Sequence, residues 1–190
     1  MDNTRIVSFD DEPLILVDSR DHVLGYESKD KVHDGDGMLH RAFSVFIFNS
    51  HGELLMQQRH ADKRLWPLIW SNSCCSHPRK GESGDAAADR RLFEELGLKT
   101  PLEYLYKFEY KARYKDLGTE HELCSVYIGA TDDAPRVNAT EVAEWKFMSR
   151  DELNRQLRET PERFSPWFKM EWKALQETYW PRIEALISRL

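Results

Sequence analysis

The chain has 190 residues, 41% of them hydrophobic and 32% charged, and a formal net charge of −6. That size and balance predict one soluble globular domain spanning residues 1–190. They exclude a binder of nucleic-acid backbone, which needs a basic face.

No apolar run reaches the roughly 18 residues of a membrane span, and the N-terminal stretch lacks a signal-like apolar region, so no membrane partner is expected. Cys74, Cys75 and Cys124 are an odd set with one adjacent pair. They give no disulfide framework, and a reducing, cytoplasmic compartment is the natural reading. The final Ser188-Arg189-Leu190 is a variant of a peroxisomal address, with meaning only in a eukaryotic cell. The expected state is a monomer or weak dimer.

Strand patterns come first, at Leu14–Val17, Ala42–Phe48 and Leu54–Gln57, with a hairpin turn over Asn49-Ser50-His51-Gly52. The run at 42–48 is so apolar that burial on both faces is expected. A helix follows over about Asp85–Leu96, with Ala88, Leu92 and Leu96 on one stripe and Gly97 as its stop. Strands return at Tyr104–Tyr114, Leu123–Ala130 and near Glu144–Met148. A short helix opens at Ser149 or Arg150 and runs to about Leu157. Ser165-Pro166 starts a last helix carrying Trp167, Met170, Ala174 and Leu175, which Pro181 should kink or break. This order predicts an α/β or α+β fold, a mixed sheet flanked by helices.

Residues 76–98 combine an acidic helix with a polar loop before it. Glu82, Arg90, Leu92, Glu94, Glu95, Gly97 and Leu98 stand at the spacings of a Nudix box, which this stretch resembles. Such a helix presents carboxylates to Mg²⁺, a hard cation that takes oxygen ligands. Two positions depart: Ser76 replaces the leading Gly, and Arg91 replaces the first Glu of the hydrolases' Arg-Glu pair. Arg91 and Glu95 are i, i+4, so one can face an anion and the other its metal, or the two can form a solvated ion pair.

His33 and His40 flank the turn Asp34-Gly35-Asp36-Gly37, and His77 precedes the box. Glu120 and Glu122 would share a face if they lie in a strand, with His121 pointing away. Three imidazoles and two carboxylates suit Zn²⁺ or Mn²⁺. His51 and His60 sit in loop-like contexts and are left outside the set. Cys75, two residues before His77, is a further candidate for chemistry.

The stretch Trp66–Pro78 (WPLIWSNSCCSHP), the His33/His40 pair, Glu120-His121-Glu122 and Ser165-Pro166-Trp167 together resemble the type 1 isopentenyl-diphosphate isomerase family. The likeness covers about His22 to Lys173 in the family's order. It implies a Nudix-like fold with an additional C-terminal helix, and interconversion of isopentenyl and dimethylallyl diphosphate in isoprenoid precursor synthesis. It also implies a metal site of His33, His40, His77, Glu120 and Glu122, with Mn²⁺ or Zn²⁺, and a Mg²⁺ bridging Glu95 and the diphosphate. Cys75 and Glu122 fall on the reacting positions, Tyr110 on a relay tyrosine and Trp167 on the aromatic that covers the substrate. Lys29, Arg59, Lys63 and Arg91 fall on the diphosphate-binding cations, and Cys74 on a variable position. The expected partner is therefore a small diphosphate.

Those roles suit the chemistry. An alkene is a poor base and needs a well-placed acid in a dry site. The tertiary carbocation that follows is stabilised by an aromatic face, worth about 2 kcal/mol when desolvated. The rival readings are a Nudix pyrophosphohydrolase and a non-catalytic diphosphate- or metal-binding module.

Overall fold

The computed structural model describes residues 4–190. Its hub is strand β3 (His40–Phe48), in which every residue except Arg41 is buried. Such a run must be covered on both faces, and it is. Phe43, Val45 and Ile47 pack with Ala87, Ala88, Leu92 and Leu96 of helix α2 (Gly84–Leu96). Ala42, Phe46 and Phe48 pack on the other face with Trp167, Phe168 and Trp172 of α4 (Pro166–Ala174), and with Leu175 and Ile183 beyond it.

The strand β8 (Gly118–Ala130) runs parallel to β3 along its whole length, from His40 opposite Glu122 to Phe48 opposite Ala130. Against β8 lies β7 (Glu103–Tyr114), antiparallel, with Tyr110 opposite Glu122. On the far side of β3, β6 (Cys74–Ser76) pairs antiparallel and sets Cys75 opposite Ser44. The remaining strands are β1 (Pro13–Val17), β2 (Val23–Ser28), β4 (Leu54–Arg59), β5 (Trp70–Ser71) and β9 (Val142–Met148). All nine belong to one mixed sheet. The short α1 (Lys29–Val32) precedes β3, and α3 (Arg150–Glu159) precedes α4. This is the expected α/β architecture, with helices on both faces and at the C-terminus. No described helix is long and apolar enough to cross a membrane.

Ser83 caps α2 by accepting the Ala86 N–H, and Gly97 ends it in the left-handed conformation, as its sequence predicts. Three differences from the sequence pattern have physical reasons. Strand β2 was not foreseen because it is an edge strand whose Val23 and Leu24 stay exposed, so it has no buried alternation. Strand β8 begins at Gly118 rather than Leu123, which brings Glu120 and Glu122 into regular strand. The α-helix is interrupted just before Pro181, as expected, but by a π-helical turn and not by a loop. A π-helical turn at Leu175–Tyr179 precedes α5 (Trp180–Ile187), which carries Pro181 in its first turn. The wider turn accommodates a residue with no N–H and a ring that crowds the preceding turn.

Candidate active site

Five side chains from four segments meet at one end of the β3/β8 pair. His33 follows α1, His40 opens β3, His77 follows β6, and Glu120 and Glu122 share one face of β8. Their ligand atoms all lie within 4.8 Å of one another. The three imidazole centroids are 4.9 to 5.5 Å apart. Gly118 lets this happen, because a Cβ there would stand 2.5 Å from the His33 carbonyl oxygen.

The donor atoms fit a divalent cation. His33 Nδ1 contacts the Lys29 carbonyl at 2.5 Å and His40 Nδ1 the Met38 carbonyl at 2.8 Å. Each bond places the proton on Nδ1 and leaves the Nε2 lone pair free, the usual way a ligand histidine is oriented. Both Nε2 atoms, and Glu120 Oε2, are buried without a hydrogen-bond partner among the described residues. The 2.7 Å contact between His33 Nε2 and Glu120 Oε2 lacks hydrogen-bond alignment. Orphaned buried acceptors of this kind are costly unless a further group satisfies them. Burial pushes His40 down to about 3 and moves His77 the same way, so both imidazoles are held neutral. Burial, then the charge of Glu120, pushes Glu122 up to about 7.

Strand alternation decides between the two adjacent cysteines. Cys74, opposite Val45, faces the α2 side of the sheet; Cys75, opposite Ser44, faces the side of α4. The loop before them is pinned. Asn72 Nδ2 donates to the Val45 and Cys74 carbonyls, and Ser73 Oγ donates to the Leu55 carbonyl while accepting the Ile47 N–H. Cys75 lines a pocket of about 60 Å³ with Tyr110, Glu122 and Trp167. Burial pushes its thiol up to about 12, so it rests protonated. Tyr110 Oη donates to Glu122 Oε2 at 2.7 Å. Trp167, buried, donates its indole N–H to Ser71 Oγ at 2.9 Å and stands edge-on to Trp66 at 5.3 Å.

Lys29, Arg59, Lys63 and Arg91 line the same pocket. Beside it a larger cavity of about 520 Å³ opens, into which Lys29, Arg59 and Lys63 also reach. The Trp66 and Leu65 carbonyls accept from Arg59, whose guanidinium lies 5.3 Å from the Trp167 ring centre. Lys29 Nζ donates to Ser8 Oγ at 2.5 Å. Arg91 and Glu95 form a direct pair at 2.6 Å, with both side chains buried, so this is not a solvated helical salt bridge. Glu95 lies outside the His/Glu cluster. Its Oε2 accepts from Gln57 Nε2 at 3.5 Å. In the box itself, Arg90 clamps Glu82 through two bonds of 2.7 and 2.8 Å and reaches Glu94 at 2.9 Å, tying loop to helix.

His121 turns to Glu109 at 3.0 Å, and His51 and His60 also stay out of the cluster. Two neighbours of the site were not foreseen. Glu141 is a buried carboxylate that accepts from both Lys63 and Arg91. A single Glu in a loop carries no pattern that would mark it. Trp66 and Leu68 have positive φ, 48° and 57°. That is a strained segment wrapped around Arg59, and its one signal is Pro67 between them.

Residues 38–168 match the family model described as the NUDIX domain. A Photorhabdus laumondii protein named Isopentenyl-diphosphate Delta-isomerase 1 is 42% identical over 174 residues, covering 90% of this chain and 99% of its own. A Serratia proteamaculans isopentenyl-diphosphate Delta-isomerase is 42% identical, with 92% of this chain and 99% of its own covered. The chain belongs to the isopentenyl-diphosphate Delta-isomerase family, within the NUDIX fold. A chloroplastic relative from Cannabis sativa is 39% identical over 95% of this chain and 71% of its own. Among solved structures, a Deinococcus radiodurans protein superposes with a TM-score of 0.65 at 22% identity, covering 78% of this chain and 90% of its own. That likeness concerns the fold alone.

Proposed function

We propose that this chain, acting as a single catalytic domain, interconverts isopentenyl and dimethylallyl diphosphate. The observation that carries the reading is one pocket lined by Cys75, Tyr110, Glu122 and Trp167 together with Lys29, Arg59, Lys63 and Arg91. A proton-transfer pair and an anion cradle meet there, with little room for water.

The cations hold the diphosphate, and that remote anchor places the alkene between Cys75 and Glu122. One group adds a proton to C4 and the other removes one from C2. The charge at C3 develops under Trp167, where a desolvated aromatic face attracts it. At neutral pH Cys75 rests as a thiol, so it holds a proton. Glu122 takes its hydrogen bond from Tyr110, which suits a carboxyl that gains and loses a proton each cycle.

His33, His40, His77, Glu120 and Glu122 are the residues that would hold Mn²⁺ or Zn²⁺. A bound ion supplies positive charge that offsets the two adjacent carboxylates and fixes their orientation. Glu95, through Oε2, is the residue that would meet a Mg²⁺ carried with the diphosphate.

Incubation with isopentenyl diphosphate and Mg²⁺ in deuterated water tests the reading. Dimethylallyl diphosphate carrying solvent deuterium is the expected product. Release of phosphate from nucleoside diphosphate derivatives, with isopentenyl diphosphate left unchanged, would sink it in favour of a hydrolase.

A further inference from the structure

Each cation of the cradle already has a protein acceptor, and one acceptor serves two of them. Glu141 Oε2 takes a hydrogen bond from Lys63 Nζ and another, at 3.2 Å, from Arg91 Nη2. Its side chain is 5% exposed and lines the 520 Å³ cavity beside Lys29 and Arg59. Arg91 is engaged elsewhere too: Nε and Nη2 donate to Glu95, and Nη1 donates to the Val7 carbonyl at 2.6 Å and lies 3.6 Å from Glu94 Oε2. Four of the five guanidinium N–H directions are thus committed.

The backbone at Glu141 is fixed. Its N–H donates to the Asn138 carbonyl, and its own carbonyl accepts the His60 N–H. Asn138 is held in turn, with its N–H on the Glu95 carbonyl and its Nδ2 on the Arg5 carbonyl. Movement of Glu141 is therefore side-chain rotation. Burial opposes its ionisation, but the charges of Lys63 and Arg91 outweigh that and hold its carboxyl below the usual range. It stays an anion next to the place where another anion must come.

We propose that Glu141 is an internal stand-in for a phosphate group, occupying Lys63 and Arg91 in the empty cradle and competing with the diphosphate for them. The inference rests on reading the cradle as the diphosphate site. The competition keeps two buried cations hydrogen-bonded between turnovers, and it loosens the hold on a product that carries the same diphosphate as the substrate.

Calorimetric titration with inorganic pyrophosphate, without and with Mg²⁺, tests it. Glu141→Gln keeps the shape and removes the charge, and it should tighten binding by about tenfold. Glu144→Gln, an exposed acid on β9, removes the same net charge at a distance and should change affinity by less than about twofold. In a Lys63→Met background the gain from Glu141→Gln should shrink to less than about threefold, because the cation it frees is gone. Glu141→Asp draws the carboxylate back by one methylene. It should give an intermediate gain of about threefold, and it serves if the Gln variant does not fold. Unchanged or weaker binding by the folded variants overturns the inference. So does weakening seen only with Mg²⁺, which would make Glu141 a magnesium ligand. If the wild-type protein does not bind pyrophosphate, the reading of the cradle falls and the inference with it.

Discussion

Tyr110 stands directly across the β7/β8 ladder from Glu122, and its hydroxyl donates to Glu122 Oε2 at 2.7 Å. Glu122 Oε1 meanwhile faces His77 Nε2 at 3.2 Å. One carboxylate thus connects the His/Glu cluster to the pocket. Tyr110→Phe removes the donor and little volume. Steady-state kinetics should show kcat lower by about ten- to a hundredfold with KM nearly unchanged, less than the ~10²–10⁴ expected for losing an acid or base outright. A rise in KM alone would make Tyr110 a packing residue.

The adjacent cysteines should behave differently because alternate strand residues face opposite sides. Cys75→Ala should abolish turnover and leave the melting temperature within a few degrees. Cys74→Ala leaves a small void beneath α2 and costs about 1 kcal/mol, with turnover retained. Equal loss of activity in both would mean that the catalytic thiol is misassigned.

The free Nε2 atoms of His33 and His40 lead to a metal-content prediction. His77→Ala should reduce the divalent ion found by elemental analysis. The affinity loss should at least match the ~10–100-fold cost of disturbing an outer-shell partner. Chelation of the wild-type protein should lower its melting temperature, since the ion binds only the folded arrangement. An unchanged ion content in His77→Ala would rule out the five-residue site.

Glu171, which is not one of the five clustered residues but feels the charge of Glu122, gives a pH-dependent test. It is wholly buried on α4, one turn beyond Trp167, with Oε1 3.6 Å from Cys124 Sγ and Oε2 unpartnered. Burial pushes its carboxyl up from 4.5 to about 8. The folded state therefore keeps a proton that the unfolded chain has released. The stability this group contributes is intact below about pH 4.5 and is lost progressively as pH rises to about 8, at up to about 1.4 kcal/mol per unit. Glu171→Gln removes that titration. Its melting temperature relative to wild type should be higher at pH 8 than at pH 5, by several degrees at about 2–4 °C per kcal/mol. An equal difference at both pH values would show that the carboxyl does not titrate as burial dictates.

The periodic parts of the fold were legible in the sequence. The apolar run of β3, the alanine-rich stripe of α2 and the Ser165-Pro166 start each depend on local pattern, and the structure keeps them. The pieces that were missed, β2, β5, β6 and α1, are short or lie at an edge and bury no repeating face of their own. For the site, residue types at spacings gave a set of histidines and carboxylates, and the family resemblance gave their grouping. Glu141 and Trp66 stayed hidden for a different reason. Glu141 matters because tertiary packing sets it between Lys63 and Arg91. Trp66 matters because a strained loop turns two carbonyls onto Arg59. Neither property has a sequence period.

The parallel ladder of β3 and β8 sets His40 opposite Glu122. A slip of one residue would turn His121 inward and carry both glutamates to the other side of the sheet. Ion retention at the proposed five-residue site would consequently gauge strand alignment. In a refolding experiment, the fraction of chains that recover their ion would count those whose two central strands have aligned correctly, without any enzymatic assay.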